Sequence, residues 1–368
     1  MASYDLIVIG GGLVGGAIAW GAARLGASVA LIDEGDVAFR AARANFGLVW
    51  VQSKGAVMPP YAHWSRRSAE LWPQLAAAMA ETTGLDVALQ QTGGLSFCLG
   101  DKEYEQRENF VQRMHNESGD IGTRMLRRDE VKAMVPEIGP DVSGAAFCPI
   151  DGHASPLYLL RALHQSLLAA GGAYLPGRTV DAIDAAPHDF TVRCGAERFT
   201  CQKLVISAGL GSRALAPMVG LDVPVKPERG QIIVTERMQP FLHYATHKLR
   251  QTAEGTVMLG DSVEDAGFDT SVGVPVLQNI AQRQLRTFPL LRDVNIVRTW
   301  AGLRVMSPDG FPIYDQSAEF PGAFTATCHS GVTLAGAHAL DLAPEILAGA
   351  LSDKFTPFTT RRFDVPPR

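Results

Sequence analysis

Tyr4-Asp5-Leu6-Ile7-Val8-Ile9-Gly10-Gly11-Gly12-Leu13-Val14-Gly15 decides how the chain is read. Leu6 to Ile9 is a continuous apolar run, as a strand buried on both faces requires. Gly10, Gly12 and Gly15 form G-x-G-x-x-G directly after it. Ile18, Ala19, Ala22, Ala23 and Leu25 follow at helical spacing, and Gly26 is placed to end that helix. Val29 to Ile32 is a second buried run, closed by Asp33. Strand, glycine turn, helix, strand and acid thus come in the order that binds a dinucleotide. Gly10 permits the tight turn, Gly12 lets backbone N–H groups approach a pyrophosphate, and Gly15 lets helix and strand pack closely. The helix N-terminus offers positive partial charge to the phosphates. Asp33 stands where a ribose 2′-OH would donate. A glycine-rich turn in an unrelated α/β unit would put Asp33 there only by chance.

The chain has 368 residues, too many for one ordinary core, so two domains or an interleaved pair is expected. Hydrophobic residues at 46% and charged residues at 19% make a globular composition, and a net charge of −5 gives no basic footprint for nucleic acid or an anionic membrane. The pairs Arg66-Arg67, Arg127-Arg128 and Arg361-Arg362 are scattered, as surface solvation explains. Five cysteines without C-x-x-C spacing argue against a disulfide framework or a cysteine-held zinc. No metal is expected, and reduced thiols point to the cytoplasm. The apolar start is broken by glycines and lacks a basic n-region and cleavage site, so it does not read as a signal peptide. No apolar run is long enough to span a bilayer.

Along the chain, Gly35 to Ala44 reads as a loop. Arg43-Ala44-Asn45-Phe46-Gly47-Leu48 then makes a small polar turn before a buried run. Asn45 and Gly47 can set backbone and amide groups against a flat ring, or simply turn the chain. The spacing predicts helices over 61–83, 101–118 and 129–135, with Trp64 and Trp72 as core. Another starts at Pro156, capped by Ser155, with Leu157, Leu160, Leu163, Leu167 and Leu168 as its apolar face. Strands are expected at 93–99, 174–183, 190–194 and 203–209, the last ending in Ala208 and Gly209. Strands at 223–235, 243–252 and 256–260, a helix over 276–288 and a strand at 298–306 make a β-rich region unlike the start. A strand at 324–328 runs into His329-Ser330-Gly331 and a helix from Val332, which Pro344 should kink or restart.

An NAD site would use one contiguous nucleotide-binding domain. Here the nucleotide-type features are dispersed over the N-terminal turn, the 205–209 strand end and the strand–Gly331–helix unit. The last of these aims a helix N-terminus at something electron-rich. Reduced flavin carries negative charge near N1 and C2=O, which favours FAD over NAD.

A resemblance supports this. Ile9-Gly10-Gly11-Gly12-Leu13-Val14-Gly15, Asp151-Gly152-His153 with Pro156, Val205-Ile206-Ser207-Ala208-Gly209, Val225-Lys226-Pro227-Glu228-Arg229-Gly230-Gln231, Gly260-Asp261-Ser262 with Glu264-Asp265 and Gly267-Phe268-Asp269, and Trp300-Ala301-Gly302-Leu303-Arg304 with Pro308-Asp309-Gly310-Phe311-Pro312 stand in order over nearly the whole chain. They resemble the flavoenzymes of the D-amino-acid oxidase class, especially glycine oxidase and sarcosine oxidase. Asp33-Glu34-Gly35-Asp36, Ala44 to Gln52 and Lys54-Gly55 look like the β subunits of bacterial opine oxidases. Those of hydrogen cyanide synthase and of hetero-oligomeric D-hydroxyproline and proline dehydrogenases are similar.

The resemblance implies an α/β (mixed α+β) fold in which a Rossmann-like FAD-binding domain (1–60, 140–220 and 300–368) interleaves with a β-rich substrate-binding domain (61–139 and 221–299). It implies FAD contacts at Gly10, Gly12, Leu13, Val14 and Gly15, at Asp33 and Glu34, along Arg43, Ala44, Asn45, Phe46, Gly47 and Leu48, at Val180, Ala208 and Gly209, and at Arg304, Ser330, Gly331, Val332 and Thr333. The implied reaction is oxidation of the C–N bond of an amino-acid-derived amine, an opine above all, by hydride transfer to flavin N5. The implied partners are an α subunit with its own redox centres and a small iron–sulfur subunit, in the cytoplasm or held at a membrane through that complex. Two departures stand out. Sarcosine oxidases attach FAD through a cysteine just after the residue matching Arg304; here Val305-Met306 follow, so FAD is expected to be noncovalent. The tyrosine that holds the substrate carboxylate in glycine oxidase has no match in His247-Lys248-Leu249-Arg250-Gln251. Cys328 is read as a buried small residue.

Arg304 is the expected anchor, since a guanidinium offers two parallel donors to a carboxylate. Without that role it would need an acid partner, with Asp309 the candidate. Lys248 and Arg250, two apart on an expected strand, share a face and suit either a second carboxylate or a solvated edge, with His247 facing away. His329 stands at the flavin end and His153 follows Asp151-Gly152; a histidine hydrogen-bonded into a turn is the plain alternative for both. The readings left open are an opine dehydrogenase subunit, a D-hydroxyproline or related amino-acid dehydrogenase, and a noncatalytic flavin relay.

Overall fold

The computed structural model describes residues 2–35 and 41–364. Residues 36–40, half of the expected 35–44 loop and including Asp36, lie outside them. Leu6, Ile7 and Val8 are fully buried at the centre of a sheet in the order Ile313–Gln316, Ala323–Thr327, Glu197–Ile206, Ala2–Ile9, Val29–Ile32, Ala173–Leu175. Ile9 is in parallel register with Ile206 on one side and Ile32 on the other. The Gly10 turn, Asp33 and Ser207–Gly209 therefore leave the sheet at one edge, the carboxyl end of the parallel strands. Ala182–Ala186 and Asp189–Cys194 extend the sheet as an antiparallel hairpin.

One face of the sheet buries helices Leu13–Ala23, Pro59–Thr83 and Pro156–Ala169 in a core holding Trp20, Trp72, Leu163 and Tyr314. The other face packs Ile7, Phe190, Leu204, Val219 and Val223. A second body stacks two four-stranded sheets. One has the order Leu249–Gln251, Thr256–Leu259, Lys226–Arg237, Ile296–Met306; the other has Ala245–Thr246, Gly94–Leu99, Val142–Cys148, Arg124–Arg127. Leu95, Leu126, Ile233, Leu249 and Phe288 fill the space between them.

The mixed α/β class stands, and several expected boundaries move. Helix Pro59–Thr83 is expected with the substrate-binding part, yet Trp72 Nε1 donates to Val332 O at 3.0 Å and Trp64 Nε1 to the Tyr314 hydroxyl at 3.0 Å, in the core of the large sheet. Strands Val142–Cys148 and Ile296–Met306 belong to the second body, although 140–220 and 300 onward are expected in the FAD part. Helical or strand spacing says which face is apolar, not which core it meets. The expected 174–183 strand is two, Ala173–Leu175 and Ala182–Ala186, with Pro176-Gly177 between them. On helix Pro156–Ala169 the buried stripe runs through Leu159, Ala162, Leu163 and Leu167, while Leu157 and Leu168 are 54% and 52% exposed. The helix expected from Val332 begins at Ala335; a turn occupies 331–334, and Pro344 opens the last segment, Ala343–Ala348.

Candidate active site

Two cavities meet at the edge where the parallel strands end. The first is a groove of about 520 Å³ lined by Gly10, Gly12, Leu13, Val14, Asp33, Glu34, Val180, Ala208, Gly209 and Gly331. Gly10 has φ +110°, and a Cβ there would overlap the Ser207 carbonyl. At Gly15 a Cβ would overlap the Gly10 carbonyl, so helix and turn close only with glycine at both positions. Gly12 is different: the nearest atom to a Cβ there, Ala42 Cβ, is 4.0 Å away, so bare backbone faces open space. Asp33 supports this turn. Its Oδ2 accepts from Gly11 N at 2.7 Å and its Oδ1 from Gly35 N at 2.9 Å. Both oxygens of the expected ribose acceptor thus hold backbone, and the exposed Glu34 lies beside it on the groove wall. Exposed backbone at a turn, an acid pair at a strand end and small residues along a long wall fit FAD.

The second cavity is a chamber of about 200 Å³ lined by Ala44, Asn45, Phe46, Leu48, Trp50, Lys54, His247, Asp261, Arg304, His329, Ser330, Val332 and Thr333, among others. Ala41, Asn45, Leu303 and His329 border both cavities and form the seam between them. Arg43 lines neither cavity.

Arg304 reaches the chamber because Ile296–Met306 pairs antiparallel with Lys226–Arg237, setting Arg304 opposite Glu228. Its Nη1 donates to Glu228 Oε1 at 3.1 Å and to Ser262 O at 2.8 Å, while Nη2 makes a longer contact to Asp261 Oδ2 at 3.4 Å. A Cβ at Gly230 would lie 2.6 Å from Nη2, so the glycine gives the guanidinium its place. The acid proposed as its partner, Asp309, is held instead by Arg362 Nε at 2.7 Å. Glu228 and Asp261 orient the fork from one side, and the longer Nη2 contact is the one a carboxylate in the chamber would displace.

The turn at 45–48 is set from three sides. Asn45 Oδ1 accepts from Gly47 N at 2.7 Å, Thr333 Oγ1 donates to Leu48 O at 3.0 Å, and Arg250 Nη1 donates to Phe46 O at 2.8 Å. Arg250 is 3% exposed, packs where a Gly47 Cβ would sit, and lines no part of the chamber. Lys248 is not its neighbour on a face. Its ammonium lies 3.8 Å from Asp261 Oδ1 and borders a separate cavity of about 430 Å³ with Arg107, Arg283 and Glu103. The shared-face expectation fails because the strand is broken: the Thr246 hydroxyl accepts from Leu249 N at 3.0 Å, and 247–248 is a bend. Alternation does not carry through a bend, and His247, expected to face away, stacks on Trp50 at 5.7 Å in the chamber wall.

The histidines of the chamber are neutral. Burial lowers His247 to about 4, and burial followed by the Lys54 and Arg304 charges pushes His329 well below the usual range. His329 borders both cavities as an uncharged ring. His153 lies in the Gly152–His153 strand paired with Leu48–Val49, lowered to about 3 mainly by burial, away from the chamber. Cys328, expected to be buried, is half-buried on the groove wall, its thiol raised to about 12 mainly by burial. Sequence reasoning missed Lys54, Trp50, Asp261 and Tyr61. Lys54 Nζ donates to Ser330 Oγ at 2.7 Å, and the Tyr61 hydroxyl donates to the same oxygen at 3.0 Å. The available signal was a lysine following the buried Val49–Gln52 stretch. Asp151 fixes that stretch, accepting from Val51 N at 2.6 Å and Gln52 Nε2 at 2.8 Å, with burial raising its carboxyl to about 7.

A dinucleotide groove opening at a seam onto a small chamber with a wall-mounted arginine is the site of a flavin-dependent oxidoreductase. Residues 5–344 match DAO, the FAD dependent oxidoreductase family, and the chain belongs to it. A subunit of the opine oxidase of Rhizobium meliloti is 43% identical over 99% of this chain and 99% of its own. The HcnC subunit of the hydrogen cyanide synthase of Pseudomonas aeruginosa is 27% identical over 99% of this chain and 97% of its own. The crystal structure of glycine oxidase from Geobacillus kaustophilus shares the fold, with a TM-score of 0.87 at 23% identity over 98% of each chain. Among the described residues no helix is long and apolar enough to cross a membrane.

Proposed function

We propose that this chain is the FAD-carrying catalytic subunit of an amine dehydrogenase or oxidase whose substrate is an opine, an amino acid N-alkylated by a carboxyalkyl group. The observation that carries the proposal is Arg304 in the wall of a chamber that meets the dinucleotide groove, in a chain similar over its full length to an opine oxidase subunit. Gly10, Gly12 and the helix behind them would hold the pyrophosphate, Glu34 with Asp33 the ribose, and Asn45 to Leu48 with Ser330 to Thr333 the flavin end. Val305-Met306 after Arg304 support noncovalent attachment. Bound there, FAD would supply the hydride acceptor for oxidation of the carbon next to the amine, and water would hydrolyse the resulting imine. Arg304 fixes the amino-acid carboxylate and with it the α-carbon; Glu228 and Asp261 hold the fork in plane. Trp50 and Ile232 wall the chamber with apolar surface that limits water. The neutral His247 and His329 add no further positive charge beside the amine, which gives up its hydride only in the unprotonated form.

The relatives' names support assembly with a further subunit. We assign that role to an α subunit with its own redox centres, aided by a small iron–sulfur subunit, in the cytoplasm or at a membrane through the complex. The modest chamber favours a second reading, a cyclic amino acid such as D-hydroxyproline. A flavin relay without substrate chemistry would not need a carboxylate anchor. Anaerobic titration of the holoprotein with opines, D-amino acids and cyclic imino acids decides among these. Bleaching of the flavin by opines supports the first reading, bleaching by the cyclic substrates alone supports the second, and no bleaching by any of them refutes catalysis.

A further inference from the structure

Lys54 is the cation in this chamber with the least explanation. It sits within a turn, residues 52–57, held from several directions. Asp151 Oδ1 accepts from Val51 N at 2.6 Å, Trp50 Nε1 donates to Ser53 Oγ at 2.8 Å, and Lys54 N donates to Val51 O at 2.9 Å. Gly55 follows at φ +77°, packed so closely on Ala62 that a Cβ would overlap it. The ammonium is therefore carried to a fixed place. An ammonium has three donors. One goes to Ser330 Oγ at 2.7 Å, and another lies 3.3 Å from His329 Nε2. Both partners are neutral, as is Tyr61 behind Ser330.

The cations around it are paired. Arg304 has Glu228 at 3.1 Å, Lys248 has Asp261 at 3.8 Å, and Arg283 has Glu103 at 2.8 Å. Among the described residues Lys54 has no acid within ion-pair distance; burial lowers it most, Arg304 across the chamber lowers it further, and the Cys328 thiol and the buried Asp151 carboxyl favour its charge only from beyond contact. A cation in a desolvated pocket costs free energy unless an anion joins it. The missing anion is not the cofactor's phosphates, since Lys54 lines the chamber and not the groove.

We infer that Lys54 is a second carboxylate-binding residue, pairing the substrate carboxylate that Arg304 does not hold, so that the chamber selects dicarboxylic amines. This deepens the opine reading and rests on it. It also replaces Lys248 and Arg250, which the structure places behind or outside the chamber wall.

The test uses the FAD holoprotein and two unreactive probes, glutarate with two carboxylates and propionate with one, each titrated by its perturbation of the flavin spectrum. Lys54→Met removes the charge and keeps the stem. It is expected to weaken glutarate at least tenfold and propionate less than twofold, while Arg304→Ala weakens both. Wild-type affinity for glutarate is expected to fall above about pH 8, where burial places the ammonium's titration, and the Met variant's is expected to stay flat. Equal losses for the two probes, or undiminished glutarate binding, would overturn the inference. If Lys54→Met does not retain flavin, Lys54→Arg replaces it: glutarate within fivefold of wild type with propionate unchanged supports the role, and equal tenfold losses overturn it. These probes report on Lys54 even if no opine reduces the flavin, so failure of the substrate reading and failure of this inference are separable.

Discussion

Replacing Arg304 with alanine should abolish most turnover while leaving FAD in place. The guanidinium lies outside the groove where Gly10, Gly12, Asp33 and Glu34 would hold the pyrophosphate and ribose, so most of the cofactor's contacts are made without it. Its loss removes a charge-assisted contact to the substrate carboxylate, worth about 1.5–3 kcal/mol. The upper end applies here, because a planar fork makes two parallel bonds and because Glu228, only 22% exposed at its side chain, loses its partner and is left as an uncompensated anion behind the chamber wall. About 3 kcal/mol is a little over a hundredfold in kcat/KM. Lysine at 304 should recover only part of this, as a point charge without the fork. The assay is anaerobic stopped-flow bleaching of the bound flavin by an opine. An alanine variant that keeps its FAD and bleaches within fivefold of wild type would refute the anchor.

Gly230→Ala should act on the same guanidinium from behind, since its Cβ would lie 2.6 Å from Nη2; a tenfold or larger fall in kcat/KM is expected, and unchanged steady-state kinetics would show that the fork tolerates displacement. Gly10→Ala places a side chain at φ +110° against the Ser207 carbonyl, so it should lose flavin and about 1–3 kcal/mol of stability, as read by flavin content and urea midpoint. His153, His247 and His338 have folded-state values of about 3, 4 and 3, below the unfolded value of 6.5. Their contribution is full above pH 6.5 and is lost as pH falls toward 4 and below, so melting temperature should drop on acidification through that window. Asp151 works the other way: raised from 3.8 to about 7, it favours the folded state at low pH and loses that contribution as pH rises through 7. Asp151→Asn should therefore narrow the gap in urea midpoint against wild type between pH 5 and pH 8; parallel curves would mean the carboxyl does not titrate there.

The N-terminal unit was legible because its signals are local. An apolar run, three glycines and an acid each state a backbone or burial requirement; Gly10 and Gly15 meet theirs, while Asp33 closes the strand but turns both oxygens to the backbone of Gly11 and Gly35. What sequence left open was pairing across the chain. Arg304 stands out as an arginine in an apolar strand, yet its acid partners, Glu228 and Asp261, come from other segments, and the nearer Asp309 serves Arg362 instead. Lys248 and Arg250 depart from their expected shared face for a local reason, the bend at 247–248 made by Thr246, which no hydrophobic period announces. Lys54 follows a buried stretch, but that signal does not give its role, which depends on His329 and Ser330, 275 and 276 residues away. Helix Pro59–Thr83 shows the same limit at the level of the fold: its aromatic face is evident in the sequence, and the core it joins is not.

The most direct measurement of the central claim is a single anaerobic turnover of the holoprotein with an opine deuterated at the carbon next to the amine. The account predicts full flavin bleaching, a primary isotope effect on its rate, and one amino acid and one oxo acid released per FAD. Bleaching without an isotope effect, or flavin that stays oxidised while the opine binds, would contradict it.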